Sequence, residues 1–550
     1  MVRWFLTFMN REIRGLHEAA YLLALFSFLS QILALVRDRA FAHFFGASGT
    51  LDAYFAAFRI PDLLYAFLTL FVSSFALIPL IARRGGPQAK ESRALIGSVL
   101  LSFGAVSILC AGVLFFLMPT LITLLFPGFS FEVRESTITL SRIMLLQPFF
   151  LGISSIVGAH VTAARKFFIY ALAPIFYNLG IMVGILFLYP EFGIAALGWG
   201  VVLGALFHFI IQMLPLMTHP AEFSPLFSRA FLRDTYAVIR RSLPRALALS
   251  ANQFLMLALF GIASLTALGS IAALSFAWNL QSVPLSIIGV SYAAALFPSL
   301  ALLFSKGDYE TFALEVWAAT RHIIFWTAPA IALLIVLRAH LVRVILGSGA
   351  FSWDATRLTA AILAAFAVSL IAQAVILVFS RGYYAAGKEM RPIVLNVGIA
   401  LTAGTAAFFG FVAFEHNDLV RYFLERLFRI EDVPGSSAVM IALAYSGVTL
   451  IGASCFGFFF AKDFGFERTV FDTLFCSISS AVIAAAAAYG ALQVFGPLLP
   501  TETFAGIFVQ GAAAGTLGLC AWAVTLLALR SREFAETVTV LGRLTGKNPS

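Results

Sequence analysis

The sequence predicts an all-α polytopic membrane protein. Of its 550 residues, 61% are hydrophobic and only 11% are charged, and the mean hydropathy is +0.96. A soluble globular chain carries about 45–50% apolar and about 25% charged residues, so a water-soluble enzyme of several domains is excluded. A membrane-spanning helix needs about 20 apolar residues, and stretches of that length follow one another along the whole chain.

The apolar stretches predict about fourteen transmembrane helices. We place them at 19–36, 51–82, 94–118, 138–162, 170–189, 193–217, 240–264, 270–304, 320–337, 357–380, 392–414, 437–461, 471–495 and 504–529. The second and eighth spans are long enough to tilt or break. Each contains two prolines, Pro61 with Pro79 and Pro284 with Pro298, which remove helical hydrogen bonds and bend the axis. Paired kinks in corresponding halves of a membrane protein are typical of a transport site.

A short internal repeat relates the second span to the eighth. Gly49 precedes the run AFRI at 57–60 by eight residues, and Gly269 precedes AWNL at 277–280 by the same interval. An offset of six spans predicts two parallel six-helix lobes. We place the N-terminal lobe at 1–217, the C-terminal lobe at 218–461, and a C-terminal helix pair with a cytoplasmic tail at 462–550.

The basic residues predict the orientation of the chain. The formal net charge is +9, from 36 Lys and Arg against 27 Asp and Glu. Basic residues concentrate in the cytoplasmic loops of membrane proteins. If the N-terminus is cytoplasmic, most Lys and Arg fall in loops on that side, alternating loop by loop. We therefore expect a multi-pass membrane protein with both termini in the cytoplasm and no nucleic-acid partner.

The sequence contains no catalytic or metal-binding pattern that we recognise. It has no P-loop, no H-E-x-x-H, no G-x-S-x-G and no potassium-channel filter. The four cysteines have no metal spacing and are interpreted as small apolar residues: Cys110, Cys455, Cys476 and Cys520. We therefore expect no enzymatic activity, no metal and no other cofactor.

Charged residues inside apolar helices mark the candidate site. A charge at the bilayer centre costs about 3 kcal/mol or more, so it usually faces a cavity or a partner. Asp52 and Arg59 are seven residues apart and share a helix face. They form either the wall of a water-filled cavity or an internal ion pair. Arg37 and Asp38 close the first span, either as cavity residues or as an interfacial anchor.

Two further spans carry polar residues that extend the candidate site. Arg245 and Asn252 are seven residues apart in the seventh span, and Asn279 belongs to an uncharged polar stripe in the eighth. Such stripes either line a cavity or join helices by hydrogen bonds. A cavity with arginines suits an anionic substrate, because guanidinium groups bind phosphate oxygens in pairs of hydrogen bonds.

Short motifs follow one another in a fixed order over roughly the first 400 residues. They are LALVRD at 33–38, FGA at 45–47, DAYF at 52–55, AFRIPDLL at 57–64, FPGF at 126–129, SRIM at 141–144, ALAP at 171–174, PSL at 298–300 and GAFS at 349–352. This ordered set resembles the MurJ (MviN) lipid II flippase family of the multidrug/oligosaccharidyl-lipid/polysaccharide exporter superfamily. Over the last 150 residues only the helix pattern agrees.

The resemblance implies fourteen helices in two lobes and a central cavity lined by the first, second, seventh and eighth spans. It implies transport of undecaprenyl-pyrophosphate-linked disaccharide-pentapeptide, a peptidoglycan precursor, by alternating access, with the lipid tail in a groove made by the last two spans. Cell-wall biogenesis and cell shape would depend on it. The membrane potential or a coupling ion would drive transport, with Asp38 and Asp52 as candidate coupling residues.

The match to the family is incomplete at the candidate cavity. Arg37, Asp38, Asp52 and Arg59 keep the family motif, but uncharged residues replace three family arginines, at Gln31, Tyr65 and Asn279. These replacements leave two alternatives open: a flippase for another polyprenyl-linked saccharide, or a scaffold or regulator that does not transport. A drug exporter would need acids deep in several helices, and a membrane transferase would need clustered acids at one membrane face.

Overall fold

The computed structural model describes residues 16–72, 74–86, 89–218, 229–498 and 503–544. Nearly all of these residues are helical, and none of them lies in a β-strand. The predicted all-α class is therefore confirmed. The chain divides into two compact units, Met1–Ile271 and Ala272–Ser550.

The first unit contains eleven helices among its described residues, and a π-helical turn at Gly184–Leu188 joins the eighth to the ninth. They are α1 (Leu16–Phe45), α2 (Gly49–Ala57), α3 (Arg59–Val72), α4 (Ser74–Arg83), α5 (Lys90–Leu125), α6 (Phe131–Met144), α7 (Leu146–Ala163), α8 (Phe167–Val183), α9 (Tyr189–Phe192), α10 (Ala195–Thr218) and α11 (Arg229–Ala263). The unit ends beyond the predicted lobe boundary at 217 and 218, because α11 packs against α3 and α5. The division into six-helix lobes stays a prediction.

The second unit holds twelve described helices, and a second π-helical turn, Ser286–Val290, follows the first of them. They are α12 (Ser270–Leu285, which begins at the unit boundary), α13 (Ser291–Lys306), α14 (Tyr309–Val336), α15 (Arg338–Leu346), α16 (Trp353–Ala367), α17 (Leu370–Ala385), α18 (Met390–His416), α19 (Asp418–Phe428), α20 (Ala438–Phe464), α21 (Thr469–Phe495), α22 (Phe504–Ala528) and α23 (Arg532–Leu544).

The helices agree with the predicted spans. Among the described residues, ten helical segments are long and apolar enough to cross a membrane, or eleven if the pair α16 and α17, bent by 42°, forms one span. The chain is therefore a multi-pass membrane protein. Helix α1, the series α2 to α4, and α11 lie where the sequence predicts the first, second and seventh spans. A count of fourteen is consistent with this arrangement.

The second and eighth spans are both irregular near their prolines. The second is interrupted at Phe58, and Pro61 lies in the first turn of α3, where a missing N–H costs no helical hydrogen bond. In the eighth, Pro284 cannot donate to the carbonyl of Leu280, and the π-helical turn begins two residues later. The Ser286 hydroxyl donates to the carbonyl of Ser282 at 2.9 Å, beside this break.

Small residues let two spans of the first unit approach closely. A Cβ atom added to Gly180 in α8 would lie 2.3 Å from the backbone of Gly204 in α10. Gly184 and Gly200 face each other in the same way one turn further along. Because lipid provides little hydrophobic drive between helices, such close backbone packing holds spans together.

Candidate functional site

Arg37 and Asp38 form a hydrogen-bonded pair near the end of α1. The Arg37 guanidinium donates to Asp38 Oδ1 from Nε at 3.0 Å and from Nη2 at 2.7 Å. Its Nη1 donates to Asn178 Oδ1 in α8 at 2.9 Å. Three donors of Arg37 are therefore engaged, and the charged pair also joins α1 to α8.

Asp52 is 2% exposed, and its carboxylate accepts a hydrogen bond from the protein backbone. Its Oδ2 accepts the N–H of Gly269 at 2.6 Å, just before α12 begins. Gly269 has a φ of +90°, and a Cβ there would lie 2.3 Å from the carbonyl oxygen of Ala47. Only glycine adopts this positive φ without strain and also leaves room for the carbonyl oxygen of Ala47.

Three turns of the first unit pack together around this hydrogen bond. They are 46–49, 126–130 and 264–269, which we call the turn cluster. A Cβ added to Gly128 would lie 2.0 Å from the carbonyl oxygen of Ser264, and one added to Gly49 would lie 3.1 Å from Val133 in α6. The turn cluster therefore connects the beginning of α2, the beginning of α6 and the end of α11 without space for larger residues.

Arg59 has weaker partners than Arg37. Its guanidinium lies 4.3 Å from the ring centroid of Phe260 in α11, and Nη2 is 3.9 Å from Asp62 Oδ2. Its Nε donates to the Phe55 carbonyl at 3.3 Å. Because 3.9 Å exceeds hydrogen-bond distance, the interaction with Asp62 is a loose ion pair. The seven-residue spacing to Asp52 does not produce a direct Arg59–Asp52 pair.

The three uncharged replacements lie in structured positions. The Tyr65 hydroxyl and Ser155 Oγ are 2.9 Å apart, which joins α3 to α7. Gln31 is half-buried in α1. Asn279 is half-buried in α12 of the second unit, where its backbone carbonyl accepts a hydrogen bond from the Ser282 hydroxyl at 2.7 Å.

The two candidates in the seventh span lie on α11. Asn252 is exposed there. Arg245 belongs to the same helix, but its side chain lies outside the described part of the structure. The structure thus brings Arg37 together with Asp38, and Asp52 together with the turn cluster, while Arg59 pairs loosely with Asp62.

Sequence reasoning missed a buried charge cluster in the second unit. Arg321 of α14 is 4% exposed and donates to Glu467, and also to Thr469 Oγ1 at 2.7 Å. Its Nε lies 3.5 Å from Glu533 of α23, which accepts from Thr473 at 2.6 Å. We call these five residues the Arg321 cluster. It joins α14, the start of α21 and the C-terminal helix α23.

The described residues contain no group of three or more His, Cys, Asp or Glu side chains that could hold a metal ion. They form a multi-pass helical membrane protein in which two spans are broken near prolines and arginines are buried among helices. These features are typical of polytopic membrane transporters with discontinuous helices.

The family model described as "Lipid II flippase MurJ" matches residues 41–509, and the chain belongs to this family. The match extends well beyond the motifs of the first 400 residues. The roles of all the candidate site residues stay predictions, and the match begins after three of them, Gln31, Arg37 and Asp38.

Similar proteins and structures agree with this assignment. The chain is 25% identical to the lipid II flippase MurJ of Burkholderia cenocepacia over 391 residues, covering 68% of this chain and 74% of the relative. It is 29% identical to a probable lipid II flippase MurJ of Bdellovibrio bacteriovorus over 405 residues, covering 70% and 76%.

Two solved structures share the fold. A lipid II flippase MurJ in an inward closed conformation superposes with a TM-score of 0.72 at 20% identity, covering 93% of this chain and all of that one. An inward-facing multidrug resistance MATE transporter of the MOP superfamily gives a TM-score of 0.63 at 16% identity, covering 78% and 95%.

Proposed function

We propose that this protein is a lipid II flippase, a transporter and not an enzyme. It moves the headgroup of undecaprenyl-pyrophosphate-linked disaccharide-pentapeptide across the cytoplasmic membrane by alternating access. Family membership over residues 41–509 carries this proposal, because the named relatives are lipid II flippases. The excess of basic residues in alternate loops supports a chain with both termini in the cytoplasm.

Of the two motif arginines, Arg59 is the better candidate to contact the pyrophosphate. Arg37 already donates three hydrogen bonds, to Asp38 and Asn178, and a phosphate would have to displace them. Arg59 has one loose ion pair, one backbone hydrogen bond and an aromatic ring beneath it. A phosphate oxygen approaching Arg59 therefore displaces little and gains a charged hydrogen bond of about 1.5–3 kcal/mol.

The hydrogen bond between Asp52 and Gly269 supports a role for the turn cluster in gating. In the predicted orientation the three turns lie at the outer ends of their spans. A closed turn cluster would keep that end of the first unit sealed, and outward opening would break the 2.6 Å hydrogen bond. Asp52 then acts as a latch residue that does not itself bind the substrate.

Of the two alternatives to a lipid II flippase, the three uncharged replacements fit a flippase for another polyprenyl-linked saccharide better than a scaffold or regulator. At position 65 a tyrosine hydroxyl paired with Ser155 stands where the family resemblance implies a cation. The pyrophosphate is shared by all such lipids, so a changed set of polar groups would alter saccharide selection and leave Arg59 in its role. A non-transporting scaffold or regulator would instead have no need of Arg59.

Genetic complementation separates these functions. Cells depleted of their own lipid II flippase should grow when they express this protein, and Arg59→Ala should abolish rescue, whereas Arg59→Lys should retain part of it. Arg142→Ala is the matched control, since Arg142 is half-buried, lies over the Phe115 ring at 4.7 Å, and donates from Nε to a backbone carbonyl at 3.1 Å, as Arg59 does.

The outcomes are distinct when membrane expression is equal. Rescue by the wild type and by Arg142→Ala, together with failure of Arg59→Ala, supports a lipid II flippase with Arg59 at the substrate. Failure of the wild type favours the other saccharide or the scaffold. Full rescue by Arg59→Ala would contradict the role of Arg59.

A further inference from the structure

Helix α19 is amphipathic, but its apolar face has no protein partner in the described chain. Four large side chains occupy one side of the helix at helical spacing, and each is more than half exposed: Leu419, Tyr422, Phe423 and Leu427. None of the eleven residues of α19, all of which the structure describes, is buried. A surface helix normally buries its apolar stripe, so this face lacks the partner that its pattern requires.

The opposite face of α19 is held firmly to the second unit. Glu425 accepts from the Ser436 hydroxyl at 2.8 Å and from Arg421 at 3.1 Å. Arg357 of α16 donates to the carbonyl of Arg429 at 2.9 Å, just after the helix ends. The Arg421–Glu425 bond lies within α19, so it is the bonds to Ser436 and from Arg357 that hold the helix to the second unit and keep its apolar face turned outward.

The position of α19 in the chain indicates what covers that face. Only Asn417 separates it from α18, a spanning helix whose outward surface is apolar and exposed, as at Leu401 and Phe409. Asn417 adopts an extended conformation and caps α19 by accepting the N–H groups of Leu419 and Val420. The chain therefore turns directly from the lipid-facing surface of a span into a helix whose exposed face is also apolar.

A cation within the apolar face supports the same partner. Arg426 stacks over the ring of Tyr422 at 4.7 Å, and it is mostly exposed, with one solvent-exposed ion pair to Glu431 at 3.3 Å that a lipid phosphate could replace. Arginine and tyrosine at this spacing are typical of the membrane interface, where the rings lie at headgroup level and the guanidinium reaches phosphate. A lipid partner accounts for both this arginine and the exposed apolar residues that lie on the same side of the helix.

We propose that α19 lies in the membrane interface, with Leu419, Phe423 and Leu427 among the upper acyl chains and Arg426 at the lipid phosphates. The helix is an interfacial amphipathic helix that Glu425 and Arg357 attach to the second unit. It fixes the depth and tilt of the end of α18 relative to the bilayer. This inference is independent of the transported substrate.

Site-specific fluorescence in proteoliposomes tests the proposal. Phe423→Cys and Arg421→Cys are made in full-length protein whose four native cysteines, all outside α19, are replaced by alanine. Each is labelled with an environment-sensitive dye and reconstituted in phosphatidylethanolamine and phosphatidylglycerol vesicles. The two positions are two residues apart and therefore on opposite sides of the helix, and both are exposed, so Arg421 is a matched control.

The expected result is a blue-shifted emission at position 423, quenched by acyl-chain-brominated lipid, with quenching by aqueous iodide several-fold weaker than at position 421. Equal iodide quenching at both positions would overturn the proposal. Shielding at position 423 from both quenchers would also overturn it, since a protein surface would then cover the face. Loss of shielding on dilution with lipid would identify that surface as a second copy of this chain.

Discussion

Replacing Arg321 by methionine should release the C-terminal helix α23. The substitution Arg321→Met keeps the apolar stem and removes the guanidinium that bridges Glu467 and Glu533. Arg321 and Glu533 are both 4% exposed, so little water is available to replace the lost charge. Removing one partner of a buried ion pair costs about 3–5 kcal/mol, because the remaining charges are left uncompensated.

Hydrogen exchange of the backbone amides of α23 measures this loss directly. If the Arg321 cluster holds α23 in place, a loss of about 3–5 kcal/mol raises its opening equilibrium by roughly a hundredfold to several thousandfold. The amides of α23 should then exchange faster by a similar factor, or become unprotected. Mass spectrometry of the C-terminal peptides of the purified protein in detergent reports the rate.

A matched control separates the buried cluster from a surface ion pair. Arg421 pairs with Glu425 at 3.1 Å, but its side chain is 55% exposed. Exposed pairs contribute about 0–1 kcal/mol, so Arg421→Met should leave the exchange of α23 unchanged. If Arg321→Met also leaves the exchange of α23 at the wild-type rate, the cluster does not hold the helix and the reasoning is wrong.

Two further predictions concern the turn cluster and acid pH. Gly269→Ala should lower thermal stability and abolish complementation, because alanine at a φ of +90° is strained and its Cβ meets Ala47; unchanged melting would contradict this. Burial raises the pKa of Glu536, but the hydrogen bond from Arg532 and the charge of His322 outweigh it and lower the pKa. Glu536 therefore stabilises the packed position of α23 at any pH above the pKa that this carboxyl has in the unfolded chain, about 4.3. The stabilisation is lost as the pH falls through the lower pKa of the folded protein. At that acid pH, cleavage of α23 by an acid-active protease should increase in the wild type and increase less in Glu536→Gln.

The spans are predicted accurately from the sequence because lipid selects for apolar length. The predicted span 471–495 corresponds to Thr469–Phe495, and 504–529 corresponds to Phe504–Ala528. Helix α11 begins at Arg229, well before the predicted 240, because its charged first turns carry no hydropathy signal. The short helices α15, α19 and α23 escape prediction for the same reason, since hydropathy detects only residues that contact acyl chains.

The candidate site was predictable in its residues but not in its partners. Sequence spacing draws attention to Asp52 and Arg59, yet the described acceptor contact of Asp52 is with the backbone of Gly269, 217 residues away. A backbone N–H leaves no trace in side-chain patterns. Arg321 borders an apolar stretch and carries no signal of burial in the sequence, and its acidic partners lie far along the chain. Long-range pairs of this kind require the fold.

The proposed mechanism gives different parts to the buried charges. Losing the hydrogen bond from Gly269 would cost about 1.5–3 kcal/mol, so we expect water to reach the Asp52 carboxylate if the turn cluster opens. Such a coupling of opening to hydration would favour two discrete states over a gradual movement. If Arg59 contacts the substrate as proposed, a phosphate would replace the loose ion pair with Asp62, and this exchange breaks no contact of the turn cluster that the structure shows. On this proposal the headgroup would bind to Arg59 before the Asp52–Gly269 hydrogen bond breaks, which is the order that alternating access requires.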